Sequence, residues 1–324
     1  MKKNILVAGC GYWGKNLVRN FHELGTLKYL SDPNESLVAP LCEEYDLENI
    51  KFEEGLADKE IEGVVIASPA QLHASMAIQA MELGKNVFIE KPLALSKHEA
   101  INMIESSKKN GVKIMVGHLM HYHSAFNKMK EIVQSGELGT LKYISSNRLS
   151  TGKIRTEEDV IWSFAPHDIS MILSLMQDMP ISIRANGINI LSSSISDTAS
   201  LDLIFKNAQA KISVSWLHPY KEQKLVLTFD ECFVIFDDTL GWDKKLSFLD
   251  FKISKENGNP IISKKDAKFI PLIEKEPLSN ECKYFIDLIE GKVVDRTDGN
   301  EGLRVLQVLE AASQSLEKNA EVII

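Results

Sequence analysis

The sequence predicts an α/β protein with two domains, a doubly wound parallel sheet followed by an α/β domain with an open, mostly antiparallel or mixed sheet. Short, fully apolar runs alternate with helical patterns as far as residue 116, and alternating polar and apolar residues come later. The 324 residues also exceed one ordinary core, since domains usually hold about 100–200 residues. We place the domains at residues 1–120 and 121–324.

The N-terminal strands are apolar at nearly every position, which indicates burial on both faces of a sheet. Their alternation with helical stretches implies parallel strands. One helix has a clear start, because Ser96 and Glu99 form a capping-box pattern, and it is expected to end near Gly111. The predicted strands are Asn4–Ala8, Leu27–Leu30, Val64–Ala67, Asn86–Ile89 and Val112–Val116.

The C-terminal region has strands of a different kind. In Ala210–Trp216, the apolar residues Ile212, Val214 and Trp216 share one face, which is typical of a sheet covered by helices on one side. The other face is either solvated or a subunit interface. The remaining predicted elements are helices over Ala125–Val133, His167–Met176, Leu278–Ile289 and Glu301–Leu316, and a strand over Leu141–Ser146.

Composition narrows the possible partners. Apolar residues make up 44% and charged residues 25%, and the net charge of −8 argues against a nucleic-acid surface. No apolar run reaches the roughly 18 residues of a membrane span. The four cysteines are scattered without zinc spacing, so we expect no metal site and a reducing, cytoplasmic location. They are Cys10, Cys42, Cys232 and Cys282.

A glycine-rich turn follows the first strand. Gly9, Gly11 and Gly14 form a G-x-G-x-x-G sequence, with Tyr12 and Trp13 inside it, and the first helix opens directly afterwards. In that context the glycines permit a tight turn and a close approach to a pyrophosphate, which the helix N-terminus attracts. The sequence therefore predicts a dinucleotide site.

An acid at the end of the second strand favours NAD over NADP. Asp32 lies 18 residues after Gly14, where a carboxylate accepts hydrogen bonds from the adenosine ribose and repels a 2′-phosphate. Asp32-Pro33-Asn34 is also good turn sequence, which is the structural alternative.

Polar residues at the carboxyl ends of the next two strands extend this site, because ligands bind at that edge of a doubly wound sheet. Ser68 and Pro69 follow one strand, with His73 opening the next helix, and Glu90 and Lys91 end the following strand. A lysine there can hydrogen-bond a hydroxyl and stabilise an alkoxide. His73 is equally explained as an ordinary helix start, and Lys91 by position alone as a surface lysine.

In the second domain, His167 and Asp168 follow Pro166. An imidazole titrates near neutrality and can accept a hydroxyl proton. A lone histidine is more often structural, so spacing alone leaves the role of His167 open.

Together these residues resemble the Gfo/Idh/MocA oxidoreductases, which include glucose–fructose oxidoreductase and inositol dehydrogenase. The resemblance covers the whole chain, and its specific part is the Glu90-Lys91-Pro92 sequence in register with the glycine turn. It implies a Rossmann domain that binds NAD, a catalytic Lys91 and a catalytic His167. It also implies a possible cis Lys91–Pro92 bond, and a homodimer or homotetramer formed through the C-terminal sheet.

The region before His167 departs from the common family pattern. Ser163 stands where many members have an aspartate, and Trp162–Asp168 resembles a subgroup that oxidises C3 of UDP-linked N-acetyl sugars. We therefore expect a sugar-nucleotide dehydrogenase of surface-polysaccharide biosynthesis. Tyr122 has a core tyrosine as its structural alternative, and the three basic residues of the set have a solvated loop as theirs. The expected substrate contacts are Tyr122, Arg148, Lys153, Arg155, Trp162, Ser163 and Asp168.

Two other functions stay open at this point. A dehydrogenase of a free polyol or sugar would use the same residues, and so would a catalytically silent NAD sensor that regulates a partner. Retention of both Lys91 and His167 argues against the sensor. Which of the two side chains is the base is also left open.

Overall fold

The computed structural model describes residues 4–191, 195–256 and 259–324. The chain divides into two compact units. One contains the chain up to Tyr122 together with Glu276–Leu306, and the other contains His123–Lys275 together with Gln307–Ile324. Each unit thus includes a segment from the end of the chain. The predicted division into residues 1–120 and 121–324 does not account for the return of 276–306 to the first unit. No helix in the described residues has the length and apolar character that crossing a membrane requires.

The sheet of the first unit has six strands in the order β3-β2-β1-β4-β5-β6, and all of its pairings are parallel. This confirms the doubly wound prediction. The order reverses direction between β1 and β4, which is the position where such sheets bind ligands. The strands are β1 (Asn4–Ala8), β2 (Leu27–Ser31), β3 (Glu48–Asn49), β4 (Ile61–Ile66), β5 (Asn86–Ile89) and β6 (Ile114–Val116).

The helices of this unit begin and end largely where local chemistry predicts. Ser96 and Glu99 form the expected capping box, and Gly111 ends the same helix in a left-handed conformation. Asn34 caps the second helix, since its side chain accepts a hydrogen bond from the N–H of Ser36. The helices are α1 (Gly14–Glu23), α2 (Glu35–Tyr45), α3 (Phe52–Ala57), α4 (His73–Glu82) and α5 (Lys97–Asn110), with 3-10 turns at Ala70–Leu72 and Leu119–Tyr122.

Helix α8 (Pro277–Ile289) returns late in the chain to pack against α1. Its Phe285 meets Phe21 of α1 at 6.3 Å and Phe88 of β5 at 5.7 Å between ring centroids. The backbone N–H of Val116 also donates to the carbonyl of Thr297, at 2.7 Å. Aromatic burial and this backbone bond hold the segment 276–306 in the first unit.

The second unit contains a mixed sheet in which β7 and β10 pair in parallel and the neighbouring strands pair antiparallel. Ile212, Val214 and Trp216 are fully buried, as the alternation predicts. The strands are β7 (Tyr143–Thr151), β8 (Ser182–Ile188), β9 (Thr198–Ile204), β10 (Gln209–Ser215), β11 (Leu217–Thr228), β12 (Cys232–Asp237), β13 (Leu246–Glu256), β14 (Asn259–Lys264), β15 (Lys268–Phe269) and β16 (Val322–Ile323).

Helices α6 (Ser124–Ser135) and α7 (Val160–Met176) lie in the second unit, and α9 (Gly299–Lys318) begins in the first unit and ends in the second. The expected start of α7 at His167 is wrong, because the helix begins seven residues earlier. Asp159 caps it, accepting hydrogen bonds from the N–H groups of Ile161 and Trp162. His167 therefore lies inside the helix rather than at its first turn.

We expect Asp159→Ala to destabilise the second unit by about 0.5–2 kcal/mol, because two N–H groups at the start of α7 lose their acceptor. Urea unfolding followed by circular dichroism measures the change. Asp159→Ser is the matched control, since serine also caps helices and should restore most of the stability. Equal stability of the alanine variant and the wild type would show that the cap contributes nothing.

Candidate active site

The glycine turn between β1 and α1 is shaped by two very close backbone contacts. Gly9 has a φ of +97°, and a Cβ there would lie 2.6 Å from the carbonyl carbon of Ala67. A Cβ on Gly14 would lie 1.9 Å from the oxygen of Gly9. A Cβ on Gly11, in contrast, would meet no atom within 4 Å. Two glycines are therefore required by the fold, and the third borders open space.

Asp32, just after β2, holds the glycine turn from the side. Its carboxylate accepts hydrogen bonds from the N–H of Cys10, at 2.7 Å, and from the N–H of Asn34, at 2.8 Å. Asp32 is thus a turn residue, as its structural alternative proposed. Each carboxylate oxygen has a second lone pair, so the same side chain retains acceptor capacity for a ribose.

His73 joins the ends of two neighbouring strands. It is 2% exposed, with Nδ1 at 2.8 Å from the carbonyl oxygen of Pro92 and Nε2 at 2.9 Å from that of Ser68. Burial lowers the pKa of His73, and the charge of Lys91 adds to the effect. A neutral ring has one N–H, so it donates to one carbonyl and only contacts the other. Both ring nitrogens are engaged within the unit, and His73 braces the turn that carries Lys91.

Lys91 is the second residue after β5, and its peptide bond to Pro92 is cis, as the family resemblance implies. The neighbouring Glu90 accepts a hydrogen bond from the indole N–H of Trp13, at 2.6 Å. Burial raises the pKa of Glu90 to about 7, while the Trp13 bond and the charge of Lys91 oppose the rise. Glu90 keeps partial solvent access, but protein atoms crowd its carboxyl. The predicted cofactor residues Trp13 and Glu90 are thus in contact with each other.

The first unit has the features that NAD requires. The open side of Gly11 leaves space for a pyrophosphate, and the first turn of α1 has no acidic side chain and no side-chain cap. Asp32 lies beside the same turn, while Tyr12 and Trp13 flank it, with Tyr12 largely exposed. Gly9–Gly14 would hold the phosphates and Asp32 the adenosine ribose. Contacts from Ser68, Pro69 and His73 to the dinucleotide stay predictions.

Tyr122 lies in the core of the first unit rather than on an accessible surface. It is 2% exposed, and its hydroxyl lies 2.8 Å from the hydroxyl of Thr297. Its ring also packs on that of Tyr284, with centroids 5.2 Å apart. The substrate-contact expectation for Tyr122 therefore gives way to its core alternative, because the one polar atom of the side chain is buried and engaged.

In the second unit, the predicted residues Arg148 and Asp168 meet. Asp168 is 1% exposed and accepts hydrogen bonds from Arg148 Nε and from the hydroxyl of Ser146, each at 2.6 Å. These contacts fasten α7 to β7 one residue away from His167, which is partly exposed. The guanidinium of Arg148 is thus committed largely to Asp168, and the pair fixes the backbone that carries His167.

The other expected substrate residues differ in accessibility. The indole N–H of Trp162 donates to the hydroxyl of Ser313, at 2.9 Å, and Ser163 is buried. Lys153 is exposed, and Arg155 is partly buried, with its Nε 3.9 Å from a carboxylate oxygen of Glu158. Lys153 and Arg155 are therefore the accessible cations of this set.

Glu281 of α8 is a buried acid that the sequence analysis missed. It is 1% exposed, and neither carboxylate oxygen has a hydrogen-bond partner among the described residues. A signal was present, because Leu278, Cys282 and Phe285 form an apolar stripe at helical spacing that includes position 281. An acid within such a stripe indicates a buried carboxyl group.

No group of three or more histidine, cysteine, aspartate or glutamate side chains within residues 4–191, 195–256 and 259–324 is arranged to hold a metal ion. All four cysteines are free.

Family models match both parts of the chain. Residues 3–118 match the oxidoreductase family with an NAD-binding Rossmann fold, and residues 126–235 match the GFO/IDH/MocA C-terminal domain. The chain belongs to the Gfo/Idh/MocA family, and it is an NAD-dependent dehydrogenase. The resemblance, the fold class and the cofactor predicted from the sequence are thereby confirmed.

Three similar proteins illustrate this relationship. The uncharacterised oxidoreductase YrbE of Bacillus subtilis is 27% identical, over 98% of this chain and 95% of its own. The structure of UDP-N-acetylglucosamine 3-dehydrogenase GnnA from Acidithiobacillus ferrooxidans has a TM-score of 0.85 at 21% identity, covering 97% of each chain. The structure of WlbA from Bordetella pertussis, with NADH and UDP-GlcNAcA, has a TM-score of 0.81 at 19% identity, covering 100% of this chain and 99% of its own.

We expect Gly11→Ala to weaken NADH binding by at least about tenfold, because the added methyl group occupies the space left for the pyrophosphate. The melting temperature should stay near that of the wild type, since a Cβ at this position meets no protein atom. Fluorescence titration with NADH and a thermal melt measure the two effects.

Gly14→Ala provides the contrast. Its methyl group would overlap the oxygen of Gly9, so this variant should lose stability as well as NADH affinity. Unchanged NADH affinity in Gly11→Ala would exclude the glycine turn as the pyrophosphate site.

We expect the stability of the wild type to fall as the pH rises, through Glu281. Burial, and second the charge of Glu90, raise the pKa of Glu281 well above its ordinary value. The folded state therefore keeps a proton that the unfolded chain releases above about pH 4.5. Stability falls from that pH up to the raised pKa, by at most about 1.4 kcal/mol per pH unit.

Glu281→Gln removes this loss, so its free energy of unfolding relative to the wild type should be larger at about pH 8 than at about pH 5. Urea unfolding at both values measures it. Glu82→Gln, on the exposed side of α4, is the control and should show no such pH-dependent gain. An identical pH profile for Glu281→Gln and the wild type would mean that Glu281 does not titrate differently in the two states.

Proposed function

We propose that this protein oxidises a hydroxyl carbon of a nucleotide-linked N-acetyl sugar, with C3 as the reacting carbon, and that it passes the hydride to NAD⁺. The observation that carries the proposal is the full-length likeness to two structures. GnnA is named as a UDP-N-acetylglucosamine 3-dehydrogenase, and WlbA was solved with UDP-GlcNAcA bound. Ser163 in place of a common family aspartate agrees with it, because a buried serine contacts sugar hydroxyls differently from an acid.

Lys91 is proposed as the residue that binds and stabilises the reacting oxygen. It stands at the carboxyl end of β5, beside the strands where doubly wound sheets bind ligands. The partly exposed Glu90 can balance its positive charge. His73, whose Nδ1 lies beside the carbonyl oxygen of Pro92, supports the turn that carries Lys91. An ammonium group in this position stabilises negative charge that develops on an alcohol oxygen as hydride departs.

His167 is proposed as the base that removes the hydroxyl proton. The imidazole lies within α7, and the neighbouring Asp168 is fastened to β7 through Arg148 and Ser146. That brace limits how far the helix can move, which keeps a general base in one place. An exchange of the base role between His167 and Lys91 is also part of the proposal.

The substrate diphosphate is proposed to meet Lys153 and Arg155, which are the accessible cations near the start of α7. Arg148 contributes through Asp168 instead. We also propose that the half-exposed face of the mixed sheet joins two or four copies of the chain, since Lys211 and Ser213 of β10 alternate with its buried residues.

We expect UDP to raise the melting temperature and a UDP-linked N-acetyl hexosamine to reduce NAD⁺, measured by thermal shift and by absorbance of NADH. The physical reason is binding of ligand to the folded state alone. Oxidation of a free polyol without any shift by UDP would assign the chain to the free substrate. Binding of NAD⁺ without turnover across the whole panel would favour a sensor.

We expect Lys91→Ala to lower kcat by at least about a hundredfold while the affinity for NADH changes little, because the ammonium acts on the reacting oxygen. Stopped-flow turnover and fluorescence titration separate the two quantities. Lys109→Ala, an exposed lysine of α5, is the matched control and should retain full activity. Full activity of Lys91→Ala would disprove the assigned role.

A further inference from the structure

We propose that Glu90 and Glu281, two carboxyl groups within electrostatic reach of each other, hold one negative charge between them and that this charge resides on Glu90. Glu90 is then a positioning residue that connects Trp13 of the glycine turn with the turn of Lys91. The argument for the location of the charge uses residues of the first unit only. The effect of this charge on catalysis rests on the proposed function.

Glu90 has the contacts that an ionised carboxylate needs. The indole N–H of Trp13 donates to its Oε1 at 2.6 Å, a short distance typical of a hydrogen bond to a charged acceptor. The ammonium of the adjacent Lys91 and the imidazole of His118 favour the charged form as well. Donors and positive charges therefore surround this carboxyl group.

One side of the Glu90 carboxyl group packs against the backbone of Gly117. A Cβ on Gly117 would lie 3.1 Å from Cδ and from both carboxyl oxygens of Glu90, so the carboxyl packs directly on this glycine. The N–H of Gly117 donates to the carbonyl of Ile89, at 2.7 Å, which fixes the glycine beside β5. The carboxyl group of Glu90 is thus held on one side by the chain after β6 and on the other by Trp13.

Glu281 has the opposite surroundings. It is 1% exposed, and its helical neighbours form an apolar stripe. Both of its oxygens are buried without a hydrogen-bond partner in the part of the chain that the structure describes. An ionised carboxylate buried without any donor is strongly disfavoured, so the group keeps its proton. A negative charge on Glu90 disfavours a second charge on Glu281 further.

Two other titratable groups near the pair stay neutral across this pH range. Burial raises the pKa of the Tyr122 hydroxyl and of the Cys282 thiol, so both stay neutral. His118 is paired with Glu301 of α9. Lys91, which follows Glu90 in the chain, is a further charged neighbour.

A change of charge on Glu90 affects the glycine turn through the hydrogen bond that Trp13 donates to it. Below about pH 7 Glu90 is protonated, so its hydrogen bond from Trp13 loses charge assistance and Lys91 loses a counter-charge. Above about pH 7 both are present. The indole of Trp13 therefore reports on the protonation of Glu90 directly.

The experiment is a pH titration of tryptophan fluorescence in the ligand-free protein, from about pH 5.5 to about pH 8.5. The chain has four tryptophans, so the signal of Trp13→Phe is subtracted from that of the wild type. This subtraction also removes the response of Trp242, on which His123 stacks at 5.1 Å. We expect the difference signal to show a one-proton transition with a midpoint near pH 7.

Two matched variants, each compared with its own Trp13→Phe double variant, assign the charge. Glu90→Gln should abolish the transition, whereas Glu281→Gln should preserve it with a midpoint within about one pH unit of the wild type, because glutamine resembles a protonated acid. If Glu281→Gln fails to fold, Glu281→Met replaces it in the same comparison.

Loss of the transition in Glu281→Gln, its survival in Glu90→Gln, or its absence from the wild type would each overturn the proposal. No substrate or cofactor enters the titration. A failure to oxidise any sugar would therefore count against the proposed function alone.

Discussion

The close approach of the chain at Gly9 and Gly14 is the constraint on which the first unit depends. A side chain on either residue would overlap backbone atoms of Ala67 or Gly9, so the start of α1 can lie against β1 and β4 only with glycine there. Asp32 then reaches the N–H of Cys10, and Trp13 reaches Glu90. One tight turn thus links the ends of β1, β2 and β5, where a doubly wound sheet binds its ligand.

The late segment 276–306 gives the first unit its buried polar interior. Phe285 places α8 against the aromatic core, and the same helix carries Glu281 inside that core. A buried acid without a donor costs stability. The contrast between Glu281, without donors, and Glu90, with Trp13 as donor, is what separates the two carboxyl groups chemically.

In the second unit, the buried ion pair of Arg148 and Asp168 supports the helix that carries His167. Asp168 is 1% exposed and holds Arg148, so removing either partner would leave a buried charge uncompensated. The pair ties α7 to β7 beside His167. A residue that looks like a substrate ligand in sequence, Arg148, therefore acts in the structure as part of the support for its neighbour.

The sequence by itself determined the doubly wound sheet, the glycine turn and the capping box of α5, because each depends on local periodicity or on residues a few positions apart. It left Tyr122 and Asp32 with two explanations each, and it misplaced the start of α7, which Asp159 caps. Only the tertiary structure decided that Tyr122 is buried against Thr297, that α8 returns to the first unit, and that Glu281 is buried there. These contacts join residues far apart in the chain, and burial sets the charge of a carboxyl group through neighbours that sequence spacing does not reveal.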